Sequence, residues 1–178
     1  MRERSSVRAP VDAGRVRELA GGLGRVAPEG TRLYLTGGAT AVLEGWRSST
    51  IVVDARFEPE SDRVLAAIPA LKLRLDLNVE LVSPTDFIPE LPGWRDRSPF
   101  LFREGALDVH HFDPYSQALS KVERGFGRDL EDVAEMVRRG MVLPSLAVEL
   151  FEASVPALIR YPALDEAAFR AKVLAAFQ

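Results

Sequence analysis

TRLYLTGGAT, residues Thr31–Thr40, joins a β-rich segment to two glycines and the start of a helical pattern. Thr31–Thr36 alternates and is rich in β-formers, so it predicts a strand that ends at Gly37-Gly38. From Ala39 to Trp46 the apolar residues recur at helical spacing, which predicts a helix directly after the glycines. The order strand, glycine turn, helix favours a chain of the α/β class.

Strand and helix patterns alternate on both sides of this stretch as far as Phe112, and helical patterns continue from Pro114. Further strands are expected at Thr50–Phe57 and Asn78–Val82, with a hairpin of Phe100–Arg103 and Leu107–Phe112 that turns near Glu104-Gly105. Helices are expected from Asp12 until Gly21-Gly22 weakens the pattern, at Glu60–Leu75 after Pro59, and at Tyr115–Glu123, Arg128–Arg139, Pro144–Ala153 and Asp165–Phe177. The prolines at 84, 89 and 92 with Gly93 predict a surface excursion.

These patterns predict an α/β (α+β) fold in which helices flank a mixed central sheet and a helical tail follows. The chain has 178 residues, 47% of them hydrophobic, which is enough for one substantial core. We therefore expect a single domain over residues 1–178, with an α/β core over about 12–113 and a helical C-terminal part over about 114–178.

The charge balance argues against an extended nucleic-acid surface. The 23 Lys and Arg residues face 26 Asp and Glu residues, for a net charge of −3. Proteins that bind DNA along a whole face usually carry a basic excess, so any RNA contact is expected at a local patch. The chain has no cysteine, which excludes disulfides, zinc–thiolate sites and thiol nucleophiles.

No apolar run approaches the roughly 20 residues that span a bilayer, so no membrane association is expected. Residues Met1–Pro10 are polar and rich in arginine, without the apolar core of a signal peptide. The sequence therefore predicts a cytoplasmic protein. The helical tail carries apolar residues that either cover the core or face a second subunit, so the oligomeric state stays open.

The glycine turn is the most informative place for chemistry. Gly37-Gly38 between a strand and a helix lets the backbone approach a phosphate, and the helix N-terminus offers unpaired N–H groups to it. Asp54, on the next predicted strand, is placed to hold Mg²⁺ against the same phosphates. The structural alternative is that the glycines form an ordinary tight turn and that Asp54 is a charge at the end of a strand.

Taken in order, these features resemble the nucleotidyltransferase superfamily, in particular the AbiEii-like and minimal nucleotidyltransferase-like bacterial groups associated with toxin–antitoxin systems. The family pattern is a strand, a glycine pair, a helix, then Asp-x-Asp on the following strand and a third carboxylate on a later strand. Gly37-Gly38 matches the glycine pair, Arg47–Thr50 the polar turn before the acids, Asp54 the second aspartate and Glu80 the third carboxylate. The resemblance extends over roughly Leu33 to Gly140.

The resemblance implies Mg²⁺-dependent transfer of a nucleotide from an NTP to an RNA, a protein or a small acceptor. Asp54 and Glu80 would be the catalytic carboxylates that hold the metal. Gly37 and Gly38 would admit the triphosphate, and Ser49 would donate a hydrogen bond to it. The implied ligands are thus Mg²⁺ and an NTP.

Three cations and two acids of the helical part also match the family. Lys121-Val122-Glu123-Arg124 resembles its Lys-x-x-Arg segment, and Arg128–Asp132 its Arg-Asp-x-x-Asp segment. The resemblance implies that Lys121 is catalytic and neutralises phosphate charge, with Arg124 one turn away on the same helix face. From spacing alone, ion pairs with nearby acids on a solvated face are the alternative, and ion pairing or capping is favoured for Asp129 and Asp132.

Val52 departs from the family pattern, because the first metal-binding aspartate is expected two residues before Asp54 on the same strand face. A valine side chain offers no oxygen to a hard cation, so we expect transferase activity to be impaired. The alternative function is a catalytically inactive nucleotidyltransferase-like protein that binds an RNA or a cognate protein partner, as in a toxin–antitoxin pair. Val52 is compatible with such an inactive binding protein and equally with an inactive form of a working enzyme.

Overall fold

The computed structural model describes residues 8–178, which form an α/β structure with a mixed five-stranded sheet. The α/β class predicted from the sequence is therefore confirmed. The chain divides into two compact units. The first contains the described residues up to Leu81 together with Phe100–His110, and the second contains Val82–Pro99 and His111–Gln178. The expectation of one domain stays a prediction.

The first unit holds the sheet and three helices. Its helices are α1 (Ala13–Gly24), α2 (Gly38–Glu44) and α3 (Asp62–Arg74), and its strands are β1 (Thr31–Thr36), β2 (Val53–Glu58), β3 (Val79–Glu80), β4 (Phe100–Glu104) and β5 (Leu107–His111, whose last residue falls in the second unit). The strand order is β3-β2-β1-β5-β4. β1 and β2 are antiparallel, β2 and β3 parallel, and β4 and β5 antiparallel with an irregularity between Phe100 and Phe102.

The alternation of β2 separates an apolar face of the sheet from a polar one. Along β2, residues 53, 55 and 57 are buried while residues 54, 56 and 58 are partly exposed. The buried side chains pack in one hydrophobic cluster with apolar side chains of α1 and α3, among them Leu19, Leu23 and Ile68. Because side chains alternate along a strand, Asp54 faces away from this cluster.

Helix α1 begins as the sequence predicts but ends later. Asp12 caps it by accepting a hydrogen bond from the backbone N–H of Arg15 at 2.9 Å. The helix continues through Gly21-Gly22 to Gly24, so the expectation that the glycine pair weakens it was wrong. The physical reason is close packing, since a Cβ atom on Gly22 would lie 2.5 Å from a methyl group of Leu71, and one on Gly24 would overlap the carbonyl oxygen of Glu104.

Replacing Gly24 by alanine should lower the free energy of unfolding by about 2 kcal/mol, because the added methyl group would meet backbone that has no room to yield. Gly21 is the matched control on the same helix, since a Cβ atom there meets only Oε2 of Glu104 at 3.8 Å. Gly21→Ala should stabilise the protein by up to about 1 kcal/mol through helix propensity. Urea denaturation followed by circular dichroism measures the free energy of unfolding of both variants. Equal changes for Gly24→Ala and Gly21→Ala would contradict the prediction.

The strands after the glycine turn are shorter than predicted. β2 begins at Val53 rather than Thr50, because Thr50 pairs with Val11 in an isolated antiparallel bridge. β3 covers only Val79–Glu80, since residues 81 and 82 leave the ladder. Helix α3 begins at Asp62, two residues after its expected start, with Ser61 at its N-cap position.

The second unit is helical, as predicted, and each helix end lies within one residue of its predicted position. Asp113 caps the first of these helices, and a left-handed Gly125 ends it. The helices are α4 (Pro114–Arg124), α5 (Gly127–Arg138), α6 (Pro144–Ser154) and α7 (Glu166–Phe177), with 3₁₀ helices at Pro84–Asp86 and Val155–Arg160.

The proline-rich segment before β4 is not the surface excursion that the sequence suggested. Ile88, Leu91 and Trp94 are all buried. The Trp94 ring stacks on Phe112 with centroids 4.3 Å apart and planes 6° apart. The prolines therefore shape a loop whose apolar side chains belong to the core of the second unit.

Candidate functional site

Asp54 and Glu80 lie directly beside each other on the sheet. The parallel pairing of β2 and β3 puts Asp54 opposite Glu80 and Val53 opposite Val79. Because Val53 and Val79 are buried in the apolar cluster, the two carboxylates project from the opposite, polar face. Asp54 is partly exposed and Glu80 is exposed, so both are accessible to ions in solvent.

Gly37 lies against the same acidic pair. On β1, Thr36 pairs with Asp54, and Gly37 follows with a φ of 61° and a ψ of −126° that favour glycine. A Cβ atom on Gly37 would lie 3.2 Å from Oδ2 of Asp54. The glycine turn and the carboxylate of β2 therefore adjoin, and the bare backbone at Gly37 leaves room beside Asp54.

The absence of a side chain at Gly38 allows Thr50 to pack directly against its backbone. A Cβ atom on Gly38 would overlap Oγ1 of Thr50 and would lie 2.7 Å from its Cβ atom. The Thr50 hydroxyl donates to the carbonyl of Val52 at 3.0 Å, which fixes the approach to β2. The resemblance gives Ser49 a contact to the triphosphate, which stays a prediction, whereas the side chain that contacts Gly38 is that of Thr50. This contact depends on how β2 folds back, which the local pattern does not specify.

Val52 lies one residue before β2 and is half-buried. Since it precedes the regular strand, the expectation that residues 52 and 54 share one strand face stays a prediction. Its aliphatic side chain supplies no oxygen ligand.

A cation missed by the sequence reasoning lies on the same face of β2. Arg56 follows Asp54 by two residues, and its guanidinium group pairs with Glu58 at 2.8 Å. Two residues of a strand span about 6.8 Å, so Arg56 is close enough to contribute to the electrostatics around Asp54. The period-two alternation of Asp54, Arg56 and Glu58 is the sequence signal that could have identified this row.

Lys121 and Arg124, both on α4, are bound to acids of α5 within the second unit. The Lys121 ammonium lies 2.7 Å from Oδ2 of Asp132 and 3.3 Å from Oδ1 of Asp129, and Arg124 lies 2.9 Å from the same Oδ1 of Asp129. The Lys121 side chain is only 7% exposed, so this is a buried network rather than the solvated face considered from the sequence. Ion pairing of Asp129 and Asp132, which the sequence favoured, is observed.

Asp54 and Glu80 can supply some, but not all, of the oxygen ligands of a hard divalent cation. Mg²⁺ commonly uses one or two protein carboxylates, with water and substrate phosphates in its other positions, and Asp54 and Glu80 supply two carboxylates. Among residues 8–178, no group of three or more His, Cys, Asp or Glu side chains forms a set of metal ligands. The pair therefore fits an ion that is held jointly with a phosphate ligand.

In the described part of the chain, none of the helices combines the length and the apolar character needed to cross a bilayer. No protein-family model, no curated protein and no solved structure matches the chain.

Proposed function

We propose that this chain is a nucleotidyltransferase-like protein that binds the Mg²⁺ complex of an NTP beside Gly37, Asp54 and Glu80, and that its nucleotidyl transfer is impaired by Val52. The observation that carries the proposal is the pairing of Asp54 with Glu80, with Gly37 against the Asp54 carboxylate. The two carboxylates would hold Mg²⁺, which would offset the negative charge of the phosphates. The open backbone at Gly37 would give the triphosphate room to approach.

The proposed reaction is attack by an acceptor hydroxyl on the α-phosphorus of the NTP. A new P–O bond forms to the acceptor, the bond between the α-phosphorus and the bridging oxygen breaks, and pyrophosphate leaves with that electron pair. The hydroxyl proton passes to a carboxylate or to water. In-line attack requires the triphosphate to be held rigidly, so the role of the protein is positioning and charge stabilisation.

Titration calorimetry with MgATP and the other three NTPs tests the binding step. The unaltered chain should bind, and Asp54→Asn or Glu80→Gln should weaken binding by about tenfold or more, which is about 1.4 kcal/mol. Glu60→Gln is the matched control, because Glu60 is an exposed carboxylate in the loop after β2. Binding that Asp54→Asn leaves unchanged would place the ligand elsewhere and overturn the proposal.

A second candidate function is a catalytically silent member of the same fold that acts through an RNA or a protein partner. The pairing of Lys121 and Arg124 with Asp129 and Asp132 favours it, because cations that already have carboxylate partners are less available to phosphate. An assay for transfer of labelled nucleotide to RNA and to protein separates the two candidates.

A further inference from the structure

A groove lined mainly by apolar residues lies between α5 and α7 in the second unit. It consists of two adjoining cavities of about 430 and 300 Å³ that share Leu130 and Ala176. Leu130 is 42% exposed. The other residues that line the larger cavity all belong to α5 and are Val133, Ala134, Val137 and Arg138. An exposed leucine in an apolar groove of this size is typical of a surface that binds a partner.

The face of α5 beside this groove points away from the core of the unit. Asp129, Asp132 and Met136 are buried and lie on the opposite side of the helix. Leu130, Ala134 and Val137 follow one another at steps of four and three residues, so they form one apolar stripe. Ala134 is exposed in the middle of this stripe. Its small side chain allows the axis of a second helix to approach to about 8 Å.

Large apolar side chains are exposed at both ends of α5. Phe126, at the N-cap position of α5, is 67% exposed, and Leu143, at the N-cap position of α6, is 55% exposed. The two residues are equally far in sequence from the peptide bond between Ala134 and Glu135. An antiparallel copy of α5 centred on that bond would bring Phe126 to the end of the helix at which Leu143 of the other copy lies.

Opposite charges are placed symmetrically about the same peptide bond. Glu131 and Arg138 are equally far from it, and because they are seven residues apart they lie on one flank of the apolar stripe. In the described part of the chain, Glu131 is exposed and has no ion-pair partner. The Glu135 carboxylate accepts from both Arg138 and Arg139, which leaves an excess of positive charge there. Two copies of α5 are therefore complementary in charge when they are antiparallel.

We propose that this face binds a second copy of the chain, with the two α5 helices packed antiparallel about a two-fold axis beside Ala134 and Glu135. Such an axis brings the same flank of both helices together, so that each Glu131 meets Arg138 of the other copy. Leu130 of each copy enters the larger cavity of the other beside Val137. The two Glu131 carboxylates stay about 10 Å apart along the helix direction, so like charges do not meet.

The proposal is independent of nucleotide binding, and sedimentation equilibrium of the protein alone tests it. Over a concentration series, the mass should approach twice that of one chain. Leu130→Lys should weaken self-association at least about tenfold, because it carries a charge into an apolar cavity. Leu73→Lys is the matched control, since Leu73 is an exposed leucine of α3 outside this groove, and it should leave self-association unchanged.

Reversal of the charges tests the register of the two helices. Glu131→Arg opposes arginine with Arg138, and Arg138→Glu opposes glutamate with Glu131, so each variant alone should self-associate at least about tenfold more weakly. A mixture of the two variants should form a heterodimer at least about tenfold tighter than either homodimer, because every contact is then between opposite charges. Glu149→Arg, the same charge change at an exposed position of α6, should behave like the unaltered chain.

Three outcomes would overturn the proposal, provided that circular dichroism shows the variants to be folded. A chain that stays monomeric up to about 1 mM would show that a second copy does not occupy the groove. A dimer that Leu130→Lys leaves intact would place the interface on another surface. Charge variants that mix without preference for the heterodimer would show that Glu131 and Arg138 are not opposite each other.

Discussion

Replacing Lys121 by methionine should lower the free energy of unfolding of the second unit by about 3 to 5 kcal/mol. Methionine keeps the length and the apolar stem of the side chain but removes the charge. The Asp132 side chain is 2% exposed and that of Asp129 is 12% exposed, so solvent cannot replace the lost ammonium group. A buried carboxylate without its cation is costly, whereas the intact pair contributes little.

Fluorescence of Trp94 reports this transition, since the ring is buried in the second unit against Phe112. A Trp46→Phe background removes the other tryptophan, and urea denaturation then gives the free energy. Lys172→Met is the matched control, because Lys172 is 45% exposed and lies 3.7 Å from Glu123, so its loss should cost no more than about 1 kcal/mol.

A double variant separates the loss of charge from the loss of packing. Lys121→Met combined with Asp132→Leu removes both charges of the closest pair and should recover most of the lost stability, since Asp129 keeps Arg124. If the double variant is as unstable as Lys121→Met alone, the loss comes from packing around α4 and the electrostatic explanation is wrong.

Val52→Asp should raise the rate of Mg²⁺-dependent nucleotide transfer by about 100-fold or more. On the proposed function, the added carboxylate would take the place of the first acid of the nucleotidyltransferase pattern and would add an oxygen ligand to those of Asp54 and Glu80. Removing one stabilising group from a preorganised site commonly changes rates by about 10²- to 10³-fold, and restoring one should have a similar effect. Incorporation of labelled NTP into RNA and protein measures it.

Val52→Asn is the matched control, because its amide has a similar size without the negative charge. It should leave the rate unchanged, and Asp54→Asn in the Val52→Asp background should abolish the gain. Robust transfer by the unaltered chain would show that Val52 does not limit the reaction. A folded, NTP-binding Val52→Asp protein that still transfers nothing would favour the silent binding protein.

Local pattern predicted the parts of the fold that depend on local chemistry. Thr31–Thr36 forms the predicted strand, Asp12 caps the first helix and the hairpin turns at Gly105, because alternation, capping and turn residues act over a few positions. The ends of β2 and β3 were missed because ladder length depends on the neighbouring strands, and Thr50 pairs with Val11 instead of extending β2.

In the candidate site, too, local sequence predicted some features, while others depend on tertiary contacts. The sequence predicted that Asp54, Glu80 and a glycine turn would serve one site, and register pairing places Asp54 beside both Glu80 and Gly37. It left two interpretations of Lys121 open, because spacing along α4 does not specify which residues of α5 pack against it. The pairing with Asp129 and Asp132 required the tertiary structure.

The meeting of Gly24 with the β4–β5 turn has a consequence for the whole hairpin. Gly105 has a φ of 57°, a Cβ atom on it would lie 2.5 Å from the Gly24 carbonyl oxygen, and the Ala106 N–H donates to that oxygen at 3.4 Å. Sliding one strand by a single residue would bring a bulkier residue to this contact and would turn His110 to the other side of the sheet. The C-terminal end of α1 therefore restricts β4 and β5, which lie about 80 residues away in sequence, to a single pairing register.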